Sequence, residues 1–546
     1  MHPILLSRFG LAVGVAARFA ARFSRSFVVG WGLLVLVGCD GPPVTDAVSS
    51  TPPAATVEAT APSASKPERS QEPQRSERSP SRSAGSEPAG DPVAPLPEHR
   101  SLADLLDQPD DGYPVPPVVP SRPSPASRGP EIAIDDGKVA AAGIRKLTSQ
   151  HLKLYTDVPA SSAVDDVPAA FTAAVEPWCS YFGIDPLHVI DWQMIGFLMQ
   201  DRLRFEAAGL LPADLPPFLN GYQQGMYLWA DEQADDYYRR HLVLHEGVHG
   251  FMSQFLGGIG PPWYAEGMAE HLATHRWQNG QMQVAIMPRD REETPGWGRI
   301  RIVQDQLRAG QGMMPISIMN YGPQAHLQNE PYGWSWAFAA FLDGHPDYRE
   351  RFRSLHHRIG ETDLTLACQQ LFAADWIDLN EQWQIFVVDL DYGYDLQRAA
   401  VVRRPVQPLP VDGATVSIDA SRGWQSTGIW LDAGSTYHLR ATGRYQVAQT
   451  SDIWWCEPGG ITIKYHQGQP LGLLVGAVRD ESQPLTELSP LTRPEPVGLS
   501  RIWTPTSSGT LFLKINESAA DLADNHGSLT VRISIQDDAL SPDAPE

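Results

Sequence analysis

The chain has 546 residues, room for about three domains of ~150 residues each, and 42 Lys and Arg against 64 Asp and Glu give a net charge of −22. That balance excludes a protein whose main partner is the phosphate backbone of nucleic acid. Hydrophobic residues at 42% exclude a wholly disordered chain, and four cysteines exclude a scaffold built on disulfides.

The N-terminus reads basic, then apolar, then small. Arg8, Arg18, Arg22 and Arg25 precede an apolar run from Phe27 to Gly38, which is followed at once by Cys39 and a polar stretch. That order is the order of a secretory signal, and the run is short of the ~20 residues a spanning helix needs. Leu36-Val37-Gly38-Cys39 resembles the bacterial lipobox, which implies that residues 1–38 are a lipoprotein signal peptide and that Cys39 carries lipid on the exported side of a membrane. Residues 39–130 hold 20 of the 48 prolines and are rich in Ser and Ala, the composition of a disordered tether with no core of its own.

Folded structure is expected from about residue 131. Arg145–Thr156 reads as a strand, Ala169–Phe182 as a helix and Gly225–Trp229 as a further strand. Residues 235–256 carry apolar residues at helical spacing and end in Gly257-Gly258, plausible C-cap residues. On that helix His245 and His249 are four residues apart and so share a face, close enough to bind one metal ion, while Glu246 is placed to act on a water rather than to ligate. Gly260 and Pro261-Pro262 then allow a reversal into a second helix, 263–275, with Glu266 and Glu270 again four apart. Glu266 reads as a third ligand and Glu270 as the acceptor for the free ring nitrogen of a ligand histidine. His241 lies in line with His245 and His249, but three such histidines span ~12 Å, so it reads as a core or supporting residue. His271 and His275 lack a partner acid and read as surface or packing residues.

His245-Glu246-x-x-His249 followed by Trp263-x-x-Glu266-Gly267-x-Ala269 resembles the gluzincin metallopeptidases of the thermolysin-like and aminopeptidase-like set. The resemblance implies an α+β zincin-like domain over 131–403, zinc held by His245, His249 and Glu266, and Glu246 as general base. It also implies an oxyanion-stabilising residue on a later helix. Tyr332, in the first turn of an amphipathic stretch from Glu330 to Leu342, is the candidate, with Tyr321 as the alternative. Residues 346–359 and 364–388 read as the remaining helices. A peptide substrate would lie along a sheet edge, for which Gly225–Trp229 is the candidate strand.

From 404 the rhythm changes to short strand-like runs separated by Gly, Pro, Asp and Asn, the pattern of an all-β sandwich over 404–546. Residues 430–443 and 509–530 resemble bacterial calcium-dependent galactose-binding lectins. Carried over residue by residue, Glu517, the backbone carbonyl of Asp521, Asp524 and Asn525 would bind Ca²⁺. The first acid is Glu where that family has Asp, and no His-Pro-x-Gln sugar-contacting segment occurs between Ser451 and Gly460. A packing or substrate-orienting module without calcium is the other reading. Among the remaining cysteines a Cys179–Cys368 bridge is the most natural pair in an exported protein, leaving Cys456 free.

Two functions compete at this level. One is a membrane-tethered, exported zinc metallopeptidase acting on peptides or proteins; the other is a non-catalytic surface lipoprotein that binds glycans or glycoproteins through the sandwich, its zinc site structural. A variant of the first has the sandwich recruit a glycoprotein or peptidoglycan substrate.

Overall fold

The computed structural model describes residues 131–536 except 361–362 and 486–487. The signal segment 1–38, the lipidation candidate Cys39 and the tether 39–130 lie outside the described residues.

The first half is a mixed sheet backed by helices. The run expected as one strand is a hairpin of β1 (Arg145–Thr148) and β2 (Leu152–Thr156), turned at residues 149–151. β2 pairs in parallel with β3 (Met194–Met199), β3 in parallel with β5 (Tyr227–Asp231), and β5 antiparallel with β4 (Gly221–Gln224), giving the order β1-β2-β3-β5-β4. Gly225–Trp229 is therefore not an edge: it runs from a turn into the interior strand β5, and the edge strand is β4. The parallel strands read as near-continuous apolar runs because both faces are covered. Leu154, Leu198, Leu228 and Ala230 pack on the helical side, while Tyr155, Phe197, Met199 and Trp229 pack with Phe205 and Leu210 on the other.

The helical side begins with α1 (Val167–Phe182) and α2 (Asp236–Phe255), both lying on the sheet. Gly257 and Gly260, at φ +78° each, turn the chain into α3 (Pro262–Ala273), started by Pro at its first position. α4 (Arg299–Arg308) and α5 (Glu330–Gly344) follow, and α5 packs along α3. That pairing is why residue 267 is glycine: a Cβ there would stand 2.8 Å from the Ser335 carbonyl oxygen of α5. The expected helix 364–388 is broken in two, α6 (Leu364–Phe372) and α7 (Trp376–Asp389), by a 3₁₀ turn at Ala373–Asp375, and 346–359 is a short helix, Arg349–Ser354, running into a 3₁₀ turn.

Beyond residue 400 the chain is β-rich. β6 (Ala414–Asp419), β8 (Tyr437–Thr442) and β11 (Ser528–Ile535) form most of one sheet, and β7 (Gln425–Leu431), β9 (Leu474–Arg479) and β10 (Gly509–Ile515) the middle of another. Inward residues of both sheets, among them Leu431, Leu511 and Leu513 from one and Ile418, Leu439 and Val531 from the other, share a single core. Residue 403 marks a change from helix to strand, and the described residues on either side of it belong to one compact unit. Glu381 on α7, 1% exposed, accepts from Arg479 Nε at 2.9 Å and from the Ser489 hydroxyl at 2.6 Å across the seam, and Arg403 Nη2 lies 3.2 Å away. Cys179, Cys368 and Cys456 are buried free thiols, so the Cys179–Cys368 bridge does not form. Burial pushes the Cys368 thiol up to about 12 and Cys456 up to about 11.

Candidate metal centre

The 3.6-residue period of α2 stacks His245 and His249 on one face, and the reversal through Gly257 and Gly260 lays α3 across that face so that Glu266 meets them. His245 Nε2 is 3.2 Å from His249 Nε2 and 3.2 Å from Glu266 Oε2, and His249 Nε2 is 3.5 Å from Glu266 Oε2. Three ligands on one tetrahedral ion with bonds of ~2.0–2.1 Å stand roughly 3.3 Å apart, so these atoms have the spacing of a shared small cation. Glu266 Oε2 is buried without a hydrogen-bond partner, which is how a carboxylate oxygen reserved for a metal looks. These three residues can hold a metal ion.

Glu246 is buried beside the ligands, and its carboxylate lies against the edge strand: a Cβ at Gly221 would come within 3.1 Å of Glu246 Cδ and closer still to Oε1. Burial pushes the Glu246 carboxyl up to about 7, the histidines His245 and His249 pulling the other way. Against the cost of its own burial, His249 and His245 hold Glu266 down to about 2.

Glu270, 1% exposed, lies behind His245, its Oε1 3.3 Å from His245 Nδ1. Its Oε2 is 3.1 Å from His241 Nε2 and 3.3 Å from Trp297 Nε1, and Arg299 donates to both oxygens, Nε to Oε2 at 3.0 Å and Nη2 to Oε1 at 2.7 Å. His241, His245 and Glu270 are also close enough to share an ion, but Arg299 already answers that carboxylate and the Ala273 carbonyl engages His241 Nδ1 at 3.0 Å. The trio lies behind the candidate ligands, with Glu270 linking His245 to His241 and Arg299.

Tyr332 lies beside the centre, its ring 5.8 Å from that of His245. Its hydroxyl donates to the His326 carbonyl at 3.0 Å, and burial, with Glu266 and Glu246 adding, pushes its pKa far up, so the proton stays on. Tyr321 donates to Glu330 Oε1 at 2.6 Å instead. His271 and His275 are both buried, and the expectation that neither has a partner acid fails for His271. His271 Nε2 is 3.0 Å from Asp343 Oδ2; the ring of His275 stacks on Tyr237 at 4.7 Å, and burial with the Arg240 charge drives its pKa down to about 3.

In the C-terminal region Glu517, Asp524 and Asn525 come together. Asn525 Nδ2 donates to Glu517 Oε2 at 3.1 Å, and Asp524 Oδ2 accepts from the Gln449 N–H at 2.9 Å. Glu517 Oε1, Asp524 Oδ1 and Asn525 Oδ1 are all buried with no partner. The Asp521 side chain pairs with Lys464, Nζ to Oδ2 2.9 Å. The same loop touches the helical half, Asp395 N–H donating to the Ala519 carbonyl at 3.2 Å.

Arg299, Trp297 and Gly221 went unnoticed in the sequence. No motif spacing marks them, because they reach the site from the edge strand β4 and from the start of α4, away from the two helices that carry the motif.

No family model matches the chain, and no curated protein matches it. Among solved structures it has a distant likeness to the N-terminal domain of EclA, a PllA-like lectin, at 22% identity over 22% of this chain and 95% of that one, with a TM-score of 0.17.

Proposed function

We propose that the chain is a zinc metallopeptidase of the gluzincin kind, its α/β half a zincin-like domain. The observation that carries this is the convergence of His245 Nε2, His249 Nε2 and Glu266 Oε2 with Glu246 buried beside them. A zinc ion held there supplies Lewis acidity, bringing the pKa of a water near 7. Glu246, pushed up to about 7, suits the general base: its carboxylate takes the proton of the attacking water and hands it to the leaving amine. The outer backbone groups of β4, beside Glu246, are positioned to pair with an extended peptide. Tyr332 keeps its proton and can donate it to a developing oxyanion once its hydroxyl swings off the His326 carbonyl.

The test is Glu246→Gln on the full chain. Hydrolysis of a mixed peptide pool is lost while zinc stays bound at one equivalent; undiminished hydrolysis refutes the mechanism. A wild-type protein that binds zinc and cuts nothing supports the rival non-catalytic lipoprotein.

A second reading concerns the C-terminal region: a Ca²⁺ site on a lectin-like sandwich. The three partnerless oxygens of Glu517, Asp524 and Asn525 favour it, since hard oxygens suit that ion. Calcium titration of wild type against Glu517→Gln, read by heat of binding and by thermal unfolding, tests it. Export and lipid anchoring at Cys39 rest on the lipobox-like residues alone, and loss of acyl labelling in Cys39→Ser checks them.

A further inference from the structure

Resting on the metallopeptidase reading for its link to catalysis, we propose that Arg299 is a positioning residue of the metal centre: its two-point grip on Glu270 sets the ring orientation of His245, and its place under the Tyr332 ring ties that tyrosine to the same anchor.

Local preference does not account for an arginine here. Arg299 opens α4, where the positive end of the helix dipole disfavours a cation. Its guanidinium is also buried, at 7% exposure, against a carboxylate at 1%, a pairing whose desolvation cost offsets most of its attraction. An apolar pair of similar volume would serve stability at least as well, so the contact is explained by what it orients.

The geometry shows what that is. Arg299 Nε and Nη2 span the two Glu270 oxygens at 3.0 and 2.7 Å, which fixes the plane of the carboxylate as well as its place. With that plane fixed, Oε1 faces His245 Nδ1 at 3.3 Å. The proton of His245 is then held at Nδ1, and the Nε2 lone pair is left pointing at His249 and Glu266. Nη1 of Arg299 donates to the Trp297 carbonyl at 3.0 Å and Nη2 to the Tyr238 hydroxyl at 3.3 Å, so the fork cannot rotate freely. Its carbon centre lies 5.4 Å from the centroid of the Tyr332 ring, within cation–π range. His249 has no such support: its Nδ1 is buried and without a partner. Of the two histidines, His245 is the one whose second ring nitrogen faces a carboxylate among the described residues.

The test uses Arg299→Met, Arg299→Lys, Glu270→Gln and the Arg299→Met/Glu270→Gln double variant of the full chain. Zinc affinity is measured by chelator competition, and site geometry by the visible absorption of the Co²⁺ form, both without substrate. Loss of such a supporting contact typically weakens metal binding 10–100-fold, and that is the range expected for Arg299→Met. Arg299→Lys should fall between it and wild type, because an ammonium cannot span both oxygens. The double variant should bind zinc no more weakly than Glu270→Gln alone, since Arg299 acts through Glu270. Unchanged zinc affinity and Co²⁺ spectrum in Arg299→Lys and Arg299→Met, with only a lower unfolding temperature, would overturn the proposal; so would losses that add in the double variant. If Arg299→Met does not fold, the Lys variant decides by the same two readouts. A wild type that binds zinc and cuts no peptide would defeat the peptidase reading and leave these affinities to decide the role of Arg299.

Discussion

Gly221→Ala is the sharpest probe of how the sheet edge and the candidate base depend on each other. The backbone of residue 221 is not in the left-handed region, so alanine is conformationally admissible there. The added methyl is the whole perturbation. It would stand 2.9 Å from Leu242 Cδ1 and 3.1 Å from Glu246 Cδ, and closer still to Glu246 Oε1, where ordinary contact needs roughly 3.5 Å. Both displaced groups are tips of flexible side chains, and a glycine inside a strand costs entropy that alanine recovers, so stability should change by no more than about 1 kcal/mol. The Glu246 carboxylate, however, must move by about 1 Å, and a displacement of that size in a catalytic group costs on the order of 10²-fold in rate, ~2.7 kcal/mol of barrier. His245, His249 and Glu266 are not among the nearest groups the methyl would meet, so on the proposed reading zinc affinity should hold. The assay is kcat on a cleavable peptide, with zinc content and urea midpoint measured on the same preparation. A kcat within twofold of wild type at full zinc occupancy would refute the placement of Glu246 as base; lost zinc would refute the expectation that the methyl leaves His245, His249 and Glu266 undisturbed.

Other expectations are independent of the chemistry. His275 is held near pKa 3 in the fold against ~6.5 when unfolded, so the folded state binds fewer protons between those values and stability is lost as pH falls from about 6.5 toward 3, by up to ~4 kcal/mol. His275→Gln should flatten that acid limb in urea titrations relative to wild type, and an unchanged slope would count against it. Glu381→Ala leaves Arg479 buried without its carboxylate and should cost about 3–5 kcal/mol, read as a single cooperative transition at lower denaturant; a loss below 1 kcal/mol would mean that the seam is held by its apolar contacts. Cys179, Cys368 and Cys456 should resist a thiol reagent in the native protein and react only on unfolding, without reductant; failure to react in denaturant would mean that a disulfide exists after all.

Much of the candidate metal centre was readable in the sequence, since local rules place its atoms. The i, i+4 spacing of His245 and His249 puts two imidazoles on one helical face whatever surrounds them, and a Gly-Gly-x-Gly-Pro-Pro reversal returns a second helix with Glu266 and Glu270 at the same spacing. Alternation and turn residues likewise marked several strands beyond 404, among them Ala414–Asp419, Tyr437–Thr442 and Ser528–Ile535, because a two-sheet core needs period-two burial. Tertiary structure decided what depends on contacts between distant segments. Strand order made Gly221–Gln224 the edge and put Tyr227–Asp231 inside the sheet, for no local pattern says which of two neighbouring strands is outermost. The hydroxyl of Tyr332 went to the His326 carbonyl, and Arg299 reached Glu270 from 29 residues away, because each side chain answers to the partners packing brings to it. The cysteines stayed apart for the same reason, and residue 403, a boundary by composition, is crossed by Glu381 and Arg479 because a buried carboxylate needs its donors wherever the chain supplies them.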